Sequence, residues 1–235
     1  MENTEQPVII AHRGASIDGY ENSFEAFKLG VKQKADMIEL DTHITSDGYF
    51  IVHHDDKISF ENQEYIIAET PLDTILNIRL PNDEPVPLLK AVLTQFLSKI
   101  QFNVEIKCYL QREDFDKFLE EVGGDNSRII VSSFLKDVLY ELNSSKLGYE
   151  LAYLYILPGL KYRKIANENF ISAMHPFYKL LTSKQIEYCH KRKKKINTWT
   201  VNSEKDIMKL VTKGVDGIIT DQPLKTREII EKYLK

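Results

Sequence analysis

Cysteine is scarce in this chain of 235 residues: Cys108 and Cys189 are the only two. Two isolated cysteines exclude a disulfide framework and suit a reducing compartment. Long apolar runs are also missing. Nothing approaches the ~18 consecutive apolar residues of a membrane span, so no stable membrane insertion is expected. The start, Met-Glu-Asn-Thr-Glu-Gln-Pro, is acidic and polar, whereas a signal peptide begins basic and continues apolar; a cytoplasmic location is the expectation. An excess of positive charge is lacking too. Lys and Arg number 31 against 35 Asp and Glu, a net charge of -4, which gives no footprint for nucleic acid. Internal repeats and low-complexity segments are absent as well.

What is present is an ordinary globular composition, 43% apolar and 28% charged, with material for a sizeable core. Short β-rich runs recur at residues 8–11, 37–40, 102–107, 128–134, 150–155, 170–174, 195–201 and 217–220. Helical patterns separate most of them, at 22–34, 87–97, 112–122, 135–142, 183–194 and 203–212. The first of these opens with Asn22 followed by Glu25, the spacing of a capping box. One further β-like run, 49–53, follows the 37–40 strand through Thr45-Ser-Asp-Gly48. That link is too short for a parallel crossover but has the composition of a hairpin turn. The run is therefore predicted to be an antiparallel extension after strand two.

Setting it aside leaves eight strands, each joined to the next by room for a helix, which favours a (β/α)₈ barrel over an open doubly wound sheet. One domain over 1–235 is expected, with residues 57–87 as a short insertion at one mouth.

Ionisable residues gather where a barrel does its chemistry. Residues i and i+2 of a strand share a face, so Glu39 and Asp41 point one way, as do Glu105 and Lys107. His12-Arg13-Gly14 ends the first strand, and all three groups fall at strand C-termini, the active end of barrel enzymes. Three carboxylates form a shell for a hard divalent cation. Arg13 and Lys107 are donors suited to phosphate oxygens, and His12 and His54 are imidazoles able to move protons. Such a set fits displacement at a phosphodiester; by itself it also fits a metal-dependent isomerase or aldolase.

A longer series of motifs narrows the choice. His12-Arg-Gly14, Glu21-Asn-Ser23, Glu39-Leu-Asp41, Ser46-Asp-Gly48, Val52-His-His-Asp55, Asn103-Val-Glu-Ile-Lys107, Ser132-Ser-Phe134, Trp199-Thr-Val-Asn202 and Gly214-Val-Asp-Gly-Ile-Ile-Thr-Asp221 occur in that order. Together they resemble the glycerophosphodiester phosphodiesterase family over nearly the whole chain.

The resemblance implies a (β/α)₈ barrel that hydrolyses small glycerophosphodiesters to glycerol 3-phosphate and an alcohol, with bound Mg²⁺ or Ca²⁺. It implies Glu39, Asp41 and Glu105 as metal ligands and His12 and His54 as the acid–base pair. Arg13 and Lys107 would grip phosphate, Glu21 would brace the site, and Trp199 would wall the alcohol or glycerol pocket. The family's catalytic His precedes Asp, which selects His54 over His53. Family members often continue past His-Asp with a Leu-x-Arg-Thr-Thr-like run, whereas this chain has Asp56-Lys-Ile-Ser-Phe-Glu61, which leaves the head group open.

Lysophospholipase D-type cleavage of lipid substrates and a non-catalytic phosphodiester-binding barrel are the alternative readings, and a homo-oligomer is compatible with each. Outside the motifs, His53 and Cys108 read as structural. His175, at the end of the sixth strand, is a candidate for the pocket. The run His190-Lys-Arg-Lys-Lys-Lys195 reads as a solvated helix end.

Overall fold

Eight of the predicted strands close on themselves. The computed structural model describes residues 6–157 and 159–234. In chain order the elements are β1 (Val8–Ala11), α1 (Phe24–Lys32), β2 (Met37–Ile44), β3 (Phe50–Val52), β4 (Lys57–Phe60), β5 (Gln63–Ile66), α2 (Leu72–Ile75) and α3 (Leu89–Phe96). They continue as β6 (Gln101–Ile106), α4 (Arg112–Val122), β7 (Ile129–Ser133), α5 (Lys136–Leu142), β8 (Glu150–Tyr155) and α6 (Leu160–Ala166). The last are β9 (Ile171–Pro176), α7 (Ser183–His190), β10 (Lys195–Thr198), α8 (Glu204–Lys213), β11 (Gly217–Thr220) and α9 (Pro223–Leu234).

The parallel order is β1-β11-β10-β9-β8-β7-β6-β2, and β1 pairs with β2 to complete the barrel. β3 lies antiparallel on the far part of β2, with Thr42 opposite Val52 and Ile44 opposite Phe50. This partner explains why β2 runs to Ile44, four residues beyond the predicted strand.

Period-two alternation sorts the apolar residues. One face of the strands sends Ile10, Met37, Ile130, Ala152, Ala173 and Ile219 into the barrel, where they meet Trp199. The other sends Ile9, Ile38, Leu40, Phe102 and Val104 outward, under Phe27, Phe96, Phe115 and Leu139 of the helices. Burying both faces of each strand is what a parallel barrel requires.

Residues 57–87 form the β4–β5 hairpin, α2 and a small core of their own, Ile58, Ile67, Ile75, Ile78, Leu80 and Val86 against Ile51. The segment is tied to the β2–β3 turn: Ser46 N–H donates to the Thr70 carbonyl at 3.1 Å and Leu72 N–H to Asp47 at 3.0 Å. It stands beside that hairpin at the C-terminal end of the barrel.

The start of α1 differs from the expectation. Ser23 is the N-cap, its hydroxyl accepting from Ala26 N–H at 3.1 Å, and Asn22 is freed for another task. Gly14 also acquires a definite reason. Its φ is +85°, and an added Cβ would lie 2.6–2.7 Å from Ala26, so the turn after β1 packs directly on the first turn of α1. Gly14→Ala is expected to cost about 3 kcal/mol of stability, from left-handed strain together with overpacking, and urea unfolding measures it.

Candidate active site

Strand register places the acids. Glu39 pairs with Asn103 and Asp41 with Glu105, so the two β2 carboxylates and the β6 carboxylate meet inside the mouth. Glu39, Asp41 and Glu105 are all buried, and each offers an oxygen within 4.8 Å of the others. Two cations thread the cluster. Lys107 Nζ lies 3.1 Å from both Asp41 Oδ1 and Glu105 Oε1. Arg13 reaches Asp41 Oδ2 with Nε at 3.1 Å and Glu21 with Nη1 at 2.8 Å. Arg13 adopts a left-handed conformation, φ 55°, and its N–H donates to Glu39 at 2.9 Å.

These contacts set the charge states. Burial first, then the charges of Asp41 and Glu105, push the Glu39 carboxyl well above its usual range. Burial, with Asp41 beside it, pushes Glu105 up to about 7. Burial also acts to raise Asp41, but Lys107 and Arg13 outweigh it and hold that carboxyl below its ordinary value. Two reluctant carboxylates around one firm one, all offering oxygen, form a site that a hard divalent cation relieves. The residues present therefore fit such an ion.

Both predicted imidazoles reach the mouth, each backed by a carboxylate. His12 Nδ1 lies 2.7 Å from Asp221 Oδ1. Asp221 also accepts from Ser16 Oγ and from the Asn202 amide. Burial acts to raise its carboxyl, but the hydrogen bond from His12 carries it below its ordinary value, so it accepts and the His12 Nδ1 donates. His54 Nδ1 lies 2.7 Å from Asp55, which is 68% exposed against 23% for Asp221. The two dyads are therefore unequal, one enclosed and one open to solvent.

A cavity of about 200 Å³ is lined by His12, Arg13, Glu39, His54, Glu105, Lys107 and Trp199, joined by Asn103, Phe134, Leu154 and Ile219. Asp41 and Glu21 sit outside this lining, where they hold Arg13 and Lys107. No lining residue comes from the 57–87 segment. Trp199 is flanked by Phe134 and Phe177 at 5.6 and 5.4 Å between ring centroids, and its Nε1–H donates to the His175 carbonyl at 2.8 Å.

His175 is fully buried behind this wall, pushed down to about 3 by desolvation; it is a neutral packing group and does not line the mouth. His53 points aside, its Nδ1 near the Asp55 carbonyl. Burial pushes the Cys108 thiol up, as suits a packing residue.

Two contributors were missed in the sequence. Asn22 donates from its amide to Asp41 at 2.9 Å, although the Glu21-Asn-Ser23 motif contained it. Asp221 follows β11, and the strand-end rule that singled out Glu39, Asp41 and Glu105 would have found it had it been applied to the last strand.

The glycerophosphoryl diester phosphodiesterase family model matches residues 12–225. A glycerophosphodiester phosphodiesterase of Bacillus altitudinis is 30% identical over 244 residues, 95% of this chain and 98% of that one. The enzyme of the same description from Caldanaerobacter subterraneus subsp. tengcongensis is 29% identical, over 96% and 98%. An Oleispira antarctica phosphodiesterase, solved with the product sn-glycerol-3-phosphate, shares the fold with a TM-score of 0.87 at 21% identity, covering 96% of this chain and 97% of that one.

Fold and mouth together define a class, the barrel hydrolases that act on phosphate esters. Within that class the chain belongs to the glycerophosphoryl diester phosphodiesterase family. It is an enzyme, a hydrolase of glycerophosphodiesters, from a family that generally depends on a divalent cation. Among the described residues, no helix is long and apolar enough to cross a membrane.

Proposed function

We propose that the chain releases glycerol 3-phosphate from glycerophosphodiesters through the acid–base pair His12 and His54, with Glu39, Asp41 and Glu105 holding Mg²⁺ or Ca²⁺. The observation that carries this reading is the convergence of three buried carboxylates beside Lys107 and Arg13. With all three carboxyls ionised, as they would be around a cation, those five groups sum to one negative charge, and a divalent cation turns the sum to one positive, opposite to a phosphodiester anion. When bound, the cation would supply charge stabilisation at the phosphoryl oxygens.

Lys107 and Arg13 bind the remaining anionic charge; Glu21 holds Arg13, Asn22 holds Asp41, and Asp41 with Glu105 holds Lys107 in place. One imidazole takes a proton from water as its oxygen bonds to phosphorus; the other protonates the departing alkoxide as the P–O bond breaks. Asp221 keeps the His12 ring oriented with Nε2 free. Trp199 walls the organic part of the substrate.

Glycerophosphocholine, glycerophosphoethanolamine and glycerophosphoglycerol, each with Mg²⁺, Ca²⁺ or chelator, form the direct assay. Release of glycerol 3-phosphate that stops with chelator and returns with one metal supports the reading. Turnover indifferent to chelator would overturn the metal assignment. The free cysteines Cys108 and Cys189 suit a cytoplasmic setting, and sedimentation of the same preparation distinguishes monomer from homo-oligomer.

A pH dependence follows from the cluster. Glu39 and Glu105 have folded pKa values raised above their unfolded ones. Their contribution to metal-free stability is therefore full below about pH 4.5 and declines as pH rises through the folded values, near 7 for Glu105. Metal binding must displace those protons. Thermal stabilisation by 5 mM Mg²⁺ or Ca²⁺ (a concentration of roughly the order needed to exceed a weak Kd) is expected to be larger at pH 8 than at pH 5.5. Equal shifts at both would contradict the cluster as the metal site.

A further inference from the structure

His54 stands on the link between β3 and β4, residues 53–56, which belongs to no strand or helix. Its ring has little to hold it. Nδ1 meets only the open Asp55 carboxylate, and the His54 side chain is itself 38% exposed. A group that transfers a proton must nevertheless be aimed at its target, and small misplacements are costly. The aim has to come from the backbone.

His43 supplies it. Its ring Nε2 lies 3.2 Å from the His54 carbonyl oxygen. A carbonyl only accepts, so Nε2 carries the hydrogen and donates. His43 follows Asp41 by two residues on β2, which puts it on the face of Glu39 and Asp41, a layer nearer the rim. It is buried, at 7% exposure. Directly opposite is Ile51, the residue around which the small core of 57–87 gathers. The hydrogen bond is therefore enclosed, where such a contact is stronger than in water.

On either side of His54 the link is fixed by main-chain bonds. His53 N–H donates to the Asp41 carbonyl at 3.1 Å, and Ile67 N–H to the Asp56 carbonyl at 2.9 Å. Among the described residues, no hydrogen bond between main-chain groups involves His54 itself. The His43 ring is what ties that peptide to the barrel.

We propose that His43 is a positioning residue for the reaction: by tethering the His54 carbonyl to β2, it directs the His54 imidazole into the mouth. This rests on the reading of His54 as one of the acid–base pair. The carboxylates of β2 and the imidazole of the link then share one rigid frame. The 57–87 segment, which lines none of the cavity, gains a part as the cover of this tether.

The test uses glycerophosphocholine with Mg²⁺ or Ca²⁺ and three substitutions: His43→Leu, which keeps bulk and loses the donor, His43→Gln, whose amide N–H reaches for the same carbonyl, and His54→Ala. His43→Leu is expected to lower kcat about tenfold to a hundredfold, the scale of a misdirected catalytic group. KM should stay within about twofold, and the thermal shift caused by the cation should be retained. His43→Gln is expected to recover kcat to within about threefold of the parent. In a His54→Ala background, His43→Leu should lower kcat by less than about twofold more, since no ring is left to aim. A merely structural role would repeat its full effect there.

Parental kcat in His43→Leu, an equal loss in His43→Gln, or full additivity with His54→Ala overturns the proposal. Loss of the cation's thermal shift in His43→Leu overturns it too, by placing His43 with the cation site. Should His43→Leu fail to fold, nitrogen NMR of the parent's histidines reads the tether directly: a neutral His43 ring with its hydrogen on Nε2 supports it, and hydrogen on Nδ1 overturns it. Full turnover by His54→Ala is a separate failure, that of the acid–base reading; an impaired His54→Ala beside a parental His43→Leu removes the positioning role alone.

Discussion

Asp41→Asn and Glu39→Gln are expected to lower diester turnover at least about a thousandfold each, yet to move the stability of the metal-free protein in opposite directions. Each removes one oxygen anion from the cation site, whose charge stabilisation is worth several kcal/mol in the transition state. Their surroundings differ. Asp41 is 1% exposed and accepts from Lys107 at 3.1 Å and Asn22 at 2.9 Å, with Arg13 Nε at 3.1 Å. Its loss leaves two enclosed cations short of their main acceptor, and breaking such a pair costs about 3 kcal/mol. Glu39 is the reverse case. Burial and the neighbouring acids oppose its ionisation, so above neutral pH its charge is a burden that Gln removes, while the Gln carbonyl still accepts from Arg13 N–H.

The sign follows from the raised folded pKa: the Glu39 carboxyl favours the native state at low pH and loses that advantage as pH rises. Chelated Glu39→Gln should therefore unfold at higher urea than the parent at pH 8, with the gain absent at pH 4. Asp41→Asn should unfold earlier throughout the neutral range. Equal destabilisation by both would show that Glu39 is not the strained carboxylate of the site.

His12→Ala and His54→Ala should each reduce kcat by about 10²–10⁴, while the thermal shift caused by Mg²⁺ or Ca²⁺ stays within a degree or two, about the scale of a few tenths of a kcal/mol. The carboxylates behind the two rings should not be equivalent. Asp221 is held by His12, Ser16 and Asn202 and is 23% exposed; Asp55 is 68% exposed and its carboxylate meets His54 alone among the described side chains. An enclosed carboxylate fixes the tautomer and direction of its imidazole, whereas a solvated one is readily replaced by water. Asp221→Asn is expected to lower kcat about tenfold to a hundredfold with KM little changed and the pH profile displaced; Asp55→Asn is expected to lie within about threefold of the parent. Steady-state kinetics from pH 5 to 9 would separate the two. Equal effects from both substitutions would mean that Asp221 supports the fold and not the ring.

Much of this was legible in the sequence because strand and helix periods are local. Glu39 with Asp41, and Glu105 with Lys107, lie on shared faces by spacing alone, and the Asp47-Gly48 turn forces His54 back toward the mouth. The capping of α1 was misplaced by one residue because Asn22 and Ser23 are both competent caps. Only the position of Asp41, nineteen residues on, draws the Asn22 amide away. The small core of residues 57–87 was also opaque, since its scattered isoleucines show no period and cohere only around Ile51 of the hairpin.

By itself, the sequence determined eight β/α units, the acids and imidazoles at their ends, and the reaction those groups resemble. Tertiary structure alone decided how they act on one another. Closure sets β11 beside β1 and so brings Asp221 to His12 across 209 residues. It presses three buried carboxylates together with two cations, which is what raises Glu39 and Glu105 while holding Asp41 low. Register and side-chain alternation are short-range properties, readable along the chain; dielectric, charge coupling and cavity shape depend on residues that meet only when the barrel shuts.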